Sequence, residues 1–305
     1  SQICYRIIKM TNKLKFCIVV NINTSGNKKL LNGVISLLRN NHDVEVFESK
    51  SENIAREIFK DLSSKIFDRL VLAGGDGSVN FAINEILQHP SLLNKEIGYI
   101  PIGTANILQI EANIKKKAEA IKEVLVSEKI KKVNLAKING RFFFLMVGIG
   151  FDGKIVASID TNIKKYLGKV IFALKGFQQF LFLNNEKMEV LIDDERMEAD
   201  WILSTNSKYY AGPYKITKTT DIFQNGLVTY IFKNLTRLKL LYYVCLILFK
   251  GDLSAAKSIV ATQAKNIKIN KLNSNLVAQV DGEFFGSNER IEIEETNKFI
   301  NLLVS

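Results

Sequence analysis

The apolar run Arg69-Leu70-Val71-Leu72-Ala73 leads straight into Gly74-Gly75-Asp76-Gly77-Ser78 and then into Val79–Leu87, and no other stretch of the chain restricts the fold so strongly. It reads as a strand, a glycine turn carrying one carboxylate, and a helix with a hydroxyl at its start. Glycines there permit positive φ and close backbone approach. The helix N-terminus aims N–H groups and partial positive charge at whatever occupies the turn, which favours an anion such as phosphate. Asp76 repels phosphate, so its role falls to a metal ion or a polar group beside the phosphates. For these five residues alone the alternative is an ordinary β-turn-α connection with Ser78 as N-cap.

Around this turn, residues 15–126 alternate between strand and helix patterns. Strands are expected at Lys15–Asn21, Asp43–Phe47, Arg69–Ala73 and Ile97–Ile100, and helices at Lys29–Leu38, Ser51–Leu62, from Ser78 onward, and Ala118–Val126. That alternation implies a parallel sheet covered on both faces, with ligands bound beyond the carboxyl ends of the strands. The polar turns 21–27, 74–78 and 101–106 each follow a strand, so they converge on one edge.

From about Lys129 the pattern becomes antiparallel. Lys132–Ile138 pairs with Phe142–Val147 across Asn139-Gly140, and further strands are expected at Met188–Ile192, Met197–Ser204, Leu227–Phe232, Asn266–Asn270, Ala278–Val280, Arg290–Glu294 and Phe299–Val304. Helical stretches at Ile163–Leu183 and Leu235–Phe249 interrupt them. The expected organisation is an α/β lobe over 13–128 and a mainly antiparallel β lobe, sandwich or barrel, over 129–305, with the last strands returning to the first lobe. Residues 1–9 read as an N-terminal extension ahead of Met10.

With 305 residues and 47% hydrophobic content the chain can bury a sizeable core. Lys and Arg total 42 against 31 Asp and Glu, a formal +11 that favours anionic partners such as nucleotide phosphates or an anionic membrane face. Cys4, Cys17 and Cys245 share no metal-type spacing, and His42 and His89 are the only histidines, which argues against zinc sites and histidine-based triads. The apolar run Leu240–Phe249 is about half the ~20 residues a spanning helix needs.

Gly74–Ser78 together with Pro101-Ile102-Gly103-Thr104-Ala105-Asn106 resembles the catalytic domain of the diacylglycerol kinase-like lipid kinases, the superfamily of bacterial diacylglycerol kinases and sphingosine kinases. Asn23-Thr24-Ser25-Gly26 resembles that family's first Asn-Pro-x-Ser-Gly turn, Gly148–Asp152 its Gly-Phe-Asp segment, and Val280-Asp281-Gly282-Glu283 its Asp-Gly-Glu. The glycine-aspartate turn is shared with phosphofructokinases and NAD kinases, so the resemblance implies a first lobe of that kind.

It also implies transfer of a phosphoryl group from Mg-ATP to a lipid hydroxyl, with diacylglycerol the leading acceptor. Asn23, Ser25, Gly26, Gly74, Gly75, Gly77, Ser78, Asn80, Gly103, Thr104 and Asn106 are then the expected nucleotide-binding residues. Asp76 would orient Mg²⁺ or nucleotide, Asp281 would act as general base, and Glu283 would add a second carboxylate. Taken alone, Asp281-Gly282 also suits a tight hairpin turn. Three positions depart from the family pattern: Asn23 replaces a proline, Ile107 an aspartate, and Gln224-Asn225-Gly226-Leu227 stands for Asp-Asp-Gly-Leu. Amides hold a hard cation less well than carboxylates, so a structural Mg²⁺ site is expected to be weakened or lost there.

Both interrupting helices mix basic and aromatic residues and suit either a membrane interface or the outside of the second lobe. The expected setting is cytoplasmic, peripheral at the inner membrane face, with ATP and a lipid as partners and no nucleic acid; a homodimer stays open. A sphingoid base or another lipid as acceptor, an NAD kinase-like activity, and a retired nucleotide- or lipid-binding protein are the alternatives.

Overall fold

The computed structural model describes residues 13–305 apart from 25, 160–174, 177, 182, 184–185, 193–194 and 273–274. Its first half runs β1 (Lys15–Asn21), α1 (Lys28–Arg39), β2 (Asp43–Ser49), α2 (Glu52–Leu62), β3 (Arg69–Gly74), α3 (Asp76–Ile86), β4 (Glu96–Pro101), α4 (Ile107–Glu111) and α5 (Ala118–Val126). The strands are parallel in the order β2-β1-β3-β4. β3 is buried at every position, which its unbroken apolar run demands of a strand covered on both faces. Polar turn residues start the helices: Asn27 Oδ1 accepts from Leu30 N–H at α1, and Ser51 Oγ from Ile54 N–H at α2. Right-handed crossovers send α1 to one face of the sheet, where it packs on α5, and α2 and α3 to the other.

The second half continues with β5 (Ile130–Ile138), β6 (Arg141–Phe143), β7 (Met146–Gly150), α6 (Phe151–Ala157), β8 (Met188–Ile192), β9 (Glu195–Ala199), β10 (Trp201–Thr205), β11 (Tyr209–Tyr210), β12 (Tyr214–Lys215) and β13 (Val228–Phe232). It ends with α7 (Arg237–Phe249), β14 (Ile259–Thr262), β15 (Asn266–Lys271), β16 (Leu276–Val280), β17 (Glu283–Asn288) and β18 (Arg290–Leu303). β18 lies parallel to β4 through Asn301 and Leu302 and antiparallel to β5 and β15, which fuses both halves into one ten-stranded sheet. A second, antiparallel sheet has the order β14-β13-β10-β7-β16-β17.

The two sheets form a sandwich. Ile267, Ile269, Ile291 and Ile293 of the first meet Ile149, Ile202, Ile231 and Ala278 of the second in one buried cluster. Strand alternation turns Trp201, Leu203, Tyr230 and Phe232 to the opposite face, where they join a cluster with Leu240 and Tyr243 of α7. Trp201 stacks on Phe232 at 3.9 Å between ring centroids, and Phe232 meets Tyr243 edge-on at 5.2 Å. An α/β half with a parallel sheet and an antiparallel β half are thus what the sequence implied.

Several details differ. The strand expected over Phe142–Val147 is two, β6 and β7, because the chain changes sheets at Phe144-Leu145. Met197–Ser204 likewise splits at Asp200, whose Oδ2 accepts from Leu235 N–H at 2.6 Å while its backbone carbonyl packs on Gly150. The two expected C-terminal strands are one, β18, with a register break between Glu295 and Phe299. The helix expected over 163–183 lies largely outside the described residues.

Ile202 is fully buried between the sheets, whereas Ile66 is 90% exposed. Ile202→Ala should therefore cost about 2–5 kcal/mol of unfolding free energy in urea titration, and Ile66→Ala should leave the midpoint in place.

Candidate active site

α3 starts two residues earlier than the turn sequence suggested. Its N-cap is Gly75, which supplies no side-chain cap, so Ser78 lies inside the first turn, where its hydroxyl accepts from Asn21 Nδ2 at 2.9 Å. The backbone N–H groups of that turn face a cleft of about 1270 Å³, whose lining also includes Asn21, Asn23, Gly103 and Thr104. Gly75 and Gly103 touch backbone to backbone, and a Cβ on Gly103 would overlap Gly75 Cα. A Cβ on Gly26 would overlap the Ile102 carbonyl. The three polar turns therefore close on one another at the carboxyl edge of the parallel sheet. Asn23 donates to the Lys50 carbonyl at 2.6 Å, which ties the first turn down without the proline. Ser25 lies outside the described residues.

Asp76 points away from that rim. Its Oδ2 accepts from Ile107 N–H at 2.8 Å and its Oδ1 from Leu108 N–H at 3.1 Å, so it caps the start of α4. Burial pushes its carboxyl above the ordinary value, those two N–H groups pull it back, and Glu283 pushes it further up. Ile107 thus contributes a backbone donor where the family carries an aspartate. Asn106, in left-handed backbone at φ 51°, accepts from Gly103 N–H and from Tyr99 and donates to the Gly103 carbonyl. Its amide braces the 103–106 loop from inside.

Asp281 and Gly282, at φ 48° and 83°, form the two-residue hairpin between β16 and β17. Hairpin turn and cleft residue, rival readings in the sequence, are both realised. Asp281 Oδ1 accepts from Leu145 and Met146 N–H, each at 2.9 Å, and Oδ2 from Phe144 N–H at 3.1 Å and Asn80 Nδ2 at 2.8 Å. Burial raises its pKa to about 6 against the pull of those donors. Asn80 in turn accepts from Arg141 Nε and Nη2 at 3.2 and 2.8 Å and donates to the Phe142 carbonyl. Asn80 therefore belongs to the joint between the halves. Glu283 stands across the cleft, with its Oε1 2.5 Å from where a Cβ of Gly77 would lie.

Beyond Asp281 the cleft turns apolar, lined by Phe151, Ile155, Trp201 and the α7 residues Leu240, Tyr243 and Ile247. A buried polar cluster sits in that wall: Asp152 accepts from Tyr210 Oη at 2.5 Å and Gln279 Nε2 at 2.7 Å. Burial holds the Asp152 carboxyl above its ordinary value. Asn21, Arg141 and this cluster were not among the residues singled out from sequence. Only Asp152, in its Gly-Phe-Asp segment, left a signal there.

Residues 15–138 match the diacylglycerol kinase catalytic domain family. That match and the relatives make the chain similar to the diacylglycerol kinase-like lipid kinases. It is 24% identical over 224 residues to a diacylglycerol kinase of Staphylococcus epidermidis, covering 72% of this chain and 69% of that protein. A YegS-like lipid kinase of Shewanella frigidimarina is 25% identical over 215 residues, 69% of each chain. The fold is shared with a crystal structure of a diacylglycerol kinase from Bacillus anthracis, at TM-score 0.71 and 19% identity, covering 96% of this chain and 97% of that one.

The Gln224-Asn225 turn lies beside the Lys208 ammonium group, which is paired with Asp221. Lys208 Nζ donates to Asp221 Oδ2 at 2.7 Å, Asp221 Oδ1 accepts from Phe223 N–H, and Glu111 Oε1 accepts from Ser207 Oγ and Lys208 N–H at 2.7 Å each. Lys208→Met should lower stability by about 1 kcal/mol, the scale of a half-exposed pair, while a chelator should leave the wild-type melting temperature unchanged. At the glycine turn, Gly103→Ala should force Gly75 away; if the turn holds nucleotide as the family resemblance implies, affinity measured by calorimetry should fall by at least about tenfold, some 1.4 kcal/mol.

Proposed function

We propose that this lipid kinase transfers the γ-phosphoryl group of Mg-ATP to a hydroxyl of diacylglycerol. The observation that carries the reading is the single cleft running from the uncapped start of α3, past Asp281 and Glu283, to the apolar wall of Phe151, Trp201 and α7. A phosphate donor suits the first end and an acyl chain the second. The diacylglycerol kinase relatives support the choice of acceptor.

In this reading the N–H groups of Gly77 and Ser78, with the Gly103-Thr104 turn, cradle the phosphates, and Arg141 adds positive charge at the cleft wall. Among the described residues, no group of three or more His, Cys, Asp or Glu is placed to hold a metal. A Mg²⁺ would therefore draw most of its ligands from the phosphates and water, with Glu283 the nearest carboxylate, and would supply charge neutralisation. Asp76 acts at one remove, by fixing α4 against the 101–106 loop.

Asp281 receives the proton of the acceptor hydroxyl. A carboxylate offers about four lone-pair sites, and its four donors already fill them, so one bond must be released. Asn80 is the only side-chain donor of the four, the others being backbone. The same geometry revises a simple test. Asp281→Asn sets an NH₂ group against N–H donors and should cost about 1–3 kcal/mol of stability besides activity, so loss of activity in that variant is not by itself informative.

Labelled ATP offered with diacylglycerol, a sphingoid base, ceramide, phosphatidylglycerol and NAD should label diacylglycerol, and only while Mg²⁺ is present. Label confined to NAD, or nucleotide binding without turnover on any acceptor, would overturn the assignment. Because the Asp281 pKa lies at about 6 and the charged form is the base, kcat/KM should be level above that pH and fall about tenfold per unit below it. A flat profile between about pH 5 and 7 removes Asp281 from that role.

A further inference from the structure

α7 lines the cleft with one side and leaves the other to solvent. Leu240, Tyr243 and Leu246 are buried, whereas Leu238 is 80% exposed, Leu241 53%, Tyr242 47%, Leu248 54% and Phe249 84%, with Cys245 also exposed among them. At about 100° per residue these six positions occupy a single arc of about 120°. A solvent-facing helix ordinarily carries charge there. Here the charge stands at the ends instead: Arg237 at the first turn, Lys250 at the C-cap, and exposed Lys215, whose Cβ lies 3.1 Å from where a Cβ of Gly251 would be. From Ile222 to Gly251 the chain holds four basic residues, Lys233, Arg237, Lys239 and Lys250, and no acidic one. No helix among the described residues is long and apolar enough to cross a membrane, so this face is not half of a span.

We propose that the exposed face of α7 is a docking surface for an anionic lipid bilayer, an inference that rests on the lipid kinase reading. Three features select a bilayer over a second copy of the chain. The apolar stripe has Arg237 and Lys250 at its ends and Lys215 beside it, against the single carboxylate of Asp252 past Gly251, a balance that complements a sheet of anionic headgroups and repels an identical basic patch. Tyr214, beside Lys215 and 46% exposed, extends the stripe toward the cleft, which it also lines. And Leu241 of the stripe, with the 43% exposed Val244 at its edge, also lines the cleft, so a bilayer seated on α7 lies where an acyl chain would enter. A protein partner on the same face would cover that entrance.

The experiment is sedimentation with large unilamellar vesicles of phosphatidylcholine alone or with about 30% phosphatidylglycerol. It compares the wild type, Leu238→Glu/Phe249→Glu, Lys215→Glu/Lys250→Glu, and Ile66→Glu on the far lobe as control. Neither Leu238 nor Phe249 lines the cleft, so turnover of short-chain diacylglycerol dispersed in detergent should stay within about twofold of wild type for the apolar pair. Wild type and Ile66→Glu should bind the anionic vesicles, and each α7 double variant should bind at least about tenfold more weakly. Raising salt from about 0.05 to about 0.5 M should weaken wild-type binding. Wild-type protein that ignores anionic vesicles, an apolar double variant that binds as wild type, or a loss of self-association in place of vesicle binding would overturn the docking surface. Because vesicle binding is read without turnover, an enzyme that phosphorylates no lipid yet loses binding through α7 overturns the function and leaves the surface standing.

Discussion

Four donors converge on the Asp281 carboxylate, and the relation between the two halves of the molecule depends on them. Three are consecutive backbone N–H groups, Phe144 to Met146, at the corner where the chain leaves the ten-stranded sheet and enters the second. The fourth is Asn80, on the helix that begins at the glycine turn. Without that carboxylate the corner would leave buried N–H groups unpaired, each costing about 1–3 kcal/mol. Yet the pKa is raised, to about 6, so desolvation outweighs even four donors. The fold therefore holds a carboxylate at the centre of the cleft in a state that favours taking up a proton. That is a structural strut with the electrostatics of a base.

The same economy governs the glycine turn. Its carboxylate, Asp76, is spent inside the protein on the N-terminus of α4, and the anion-attracting end of α3 is left without a side-chain cap. Two adjacent helix N-termini are thus treated oppositely, one neutralised by a fixed charge and the other kept open. Backbone contact between Gly75 and Gly103 sets their spacing. The polar turns are bound to one another by main chain, so the geometry of an anion site here changes little with side-chain motion.

Much of the first half was legible because its signals are local. An unbroken apolar strand, a glycine turn and a capped helix each declare themselves within a dozen residues, and the order of several such turns carries the family resemblance. The direction of individual polar side chains was not legible. Asn80 and Asn106 read as nucleotide contacts, yet each is committed to partners fixed by the tertiary fold, Asn80 to a carboxylate 201 residues away. The second half shows the same limit at the level of strands. Phe142–Val147 is uniformly apolar and looks continuous; the break in it is imposed by Asp281, more than 130 residues further on. The register break within β18 likewise falls where the strand, paired with β5 on one edge, exchanges β15 for β4 on the other.

α7 shows why composition alone left two readings open. A helix of Leu, Tyr, Val, Ile and Phe has almost no polar face, so its sequence suits burial and a lipid interface equally well. The fold resolves this by using both sides. Trp201, Phe232 and Tyr243 close the outer layer of the second sheet against one side, and that packing alone requires Leu240, Tyr243 and Leu246. Nothing in the sandwich requires Leu238 or Phe249 to be apolar, since both stand in water. Stability selects for buried apolar groups and is close to indifferent at such exposed positions, so an uninterrupted apolar stripe with basic ends calls for a cause outside the fold. The cleft beneath it, apolar on the side α7 provides and anion-seeking at the other, is where that cause and the chemistry meet.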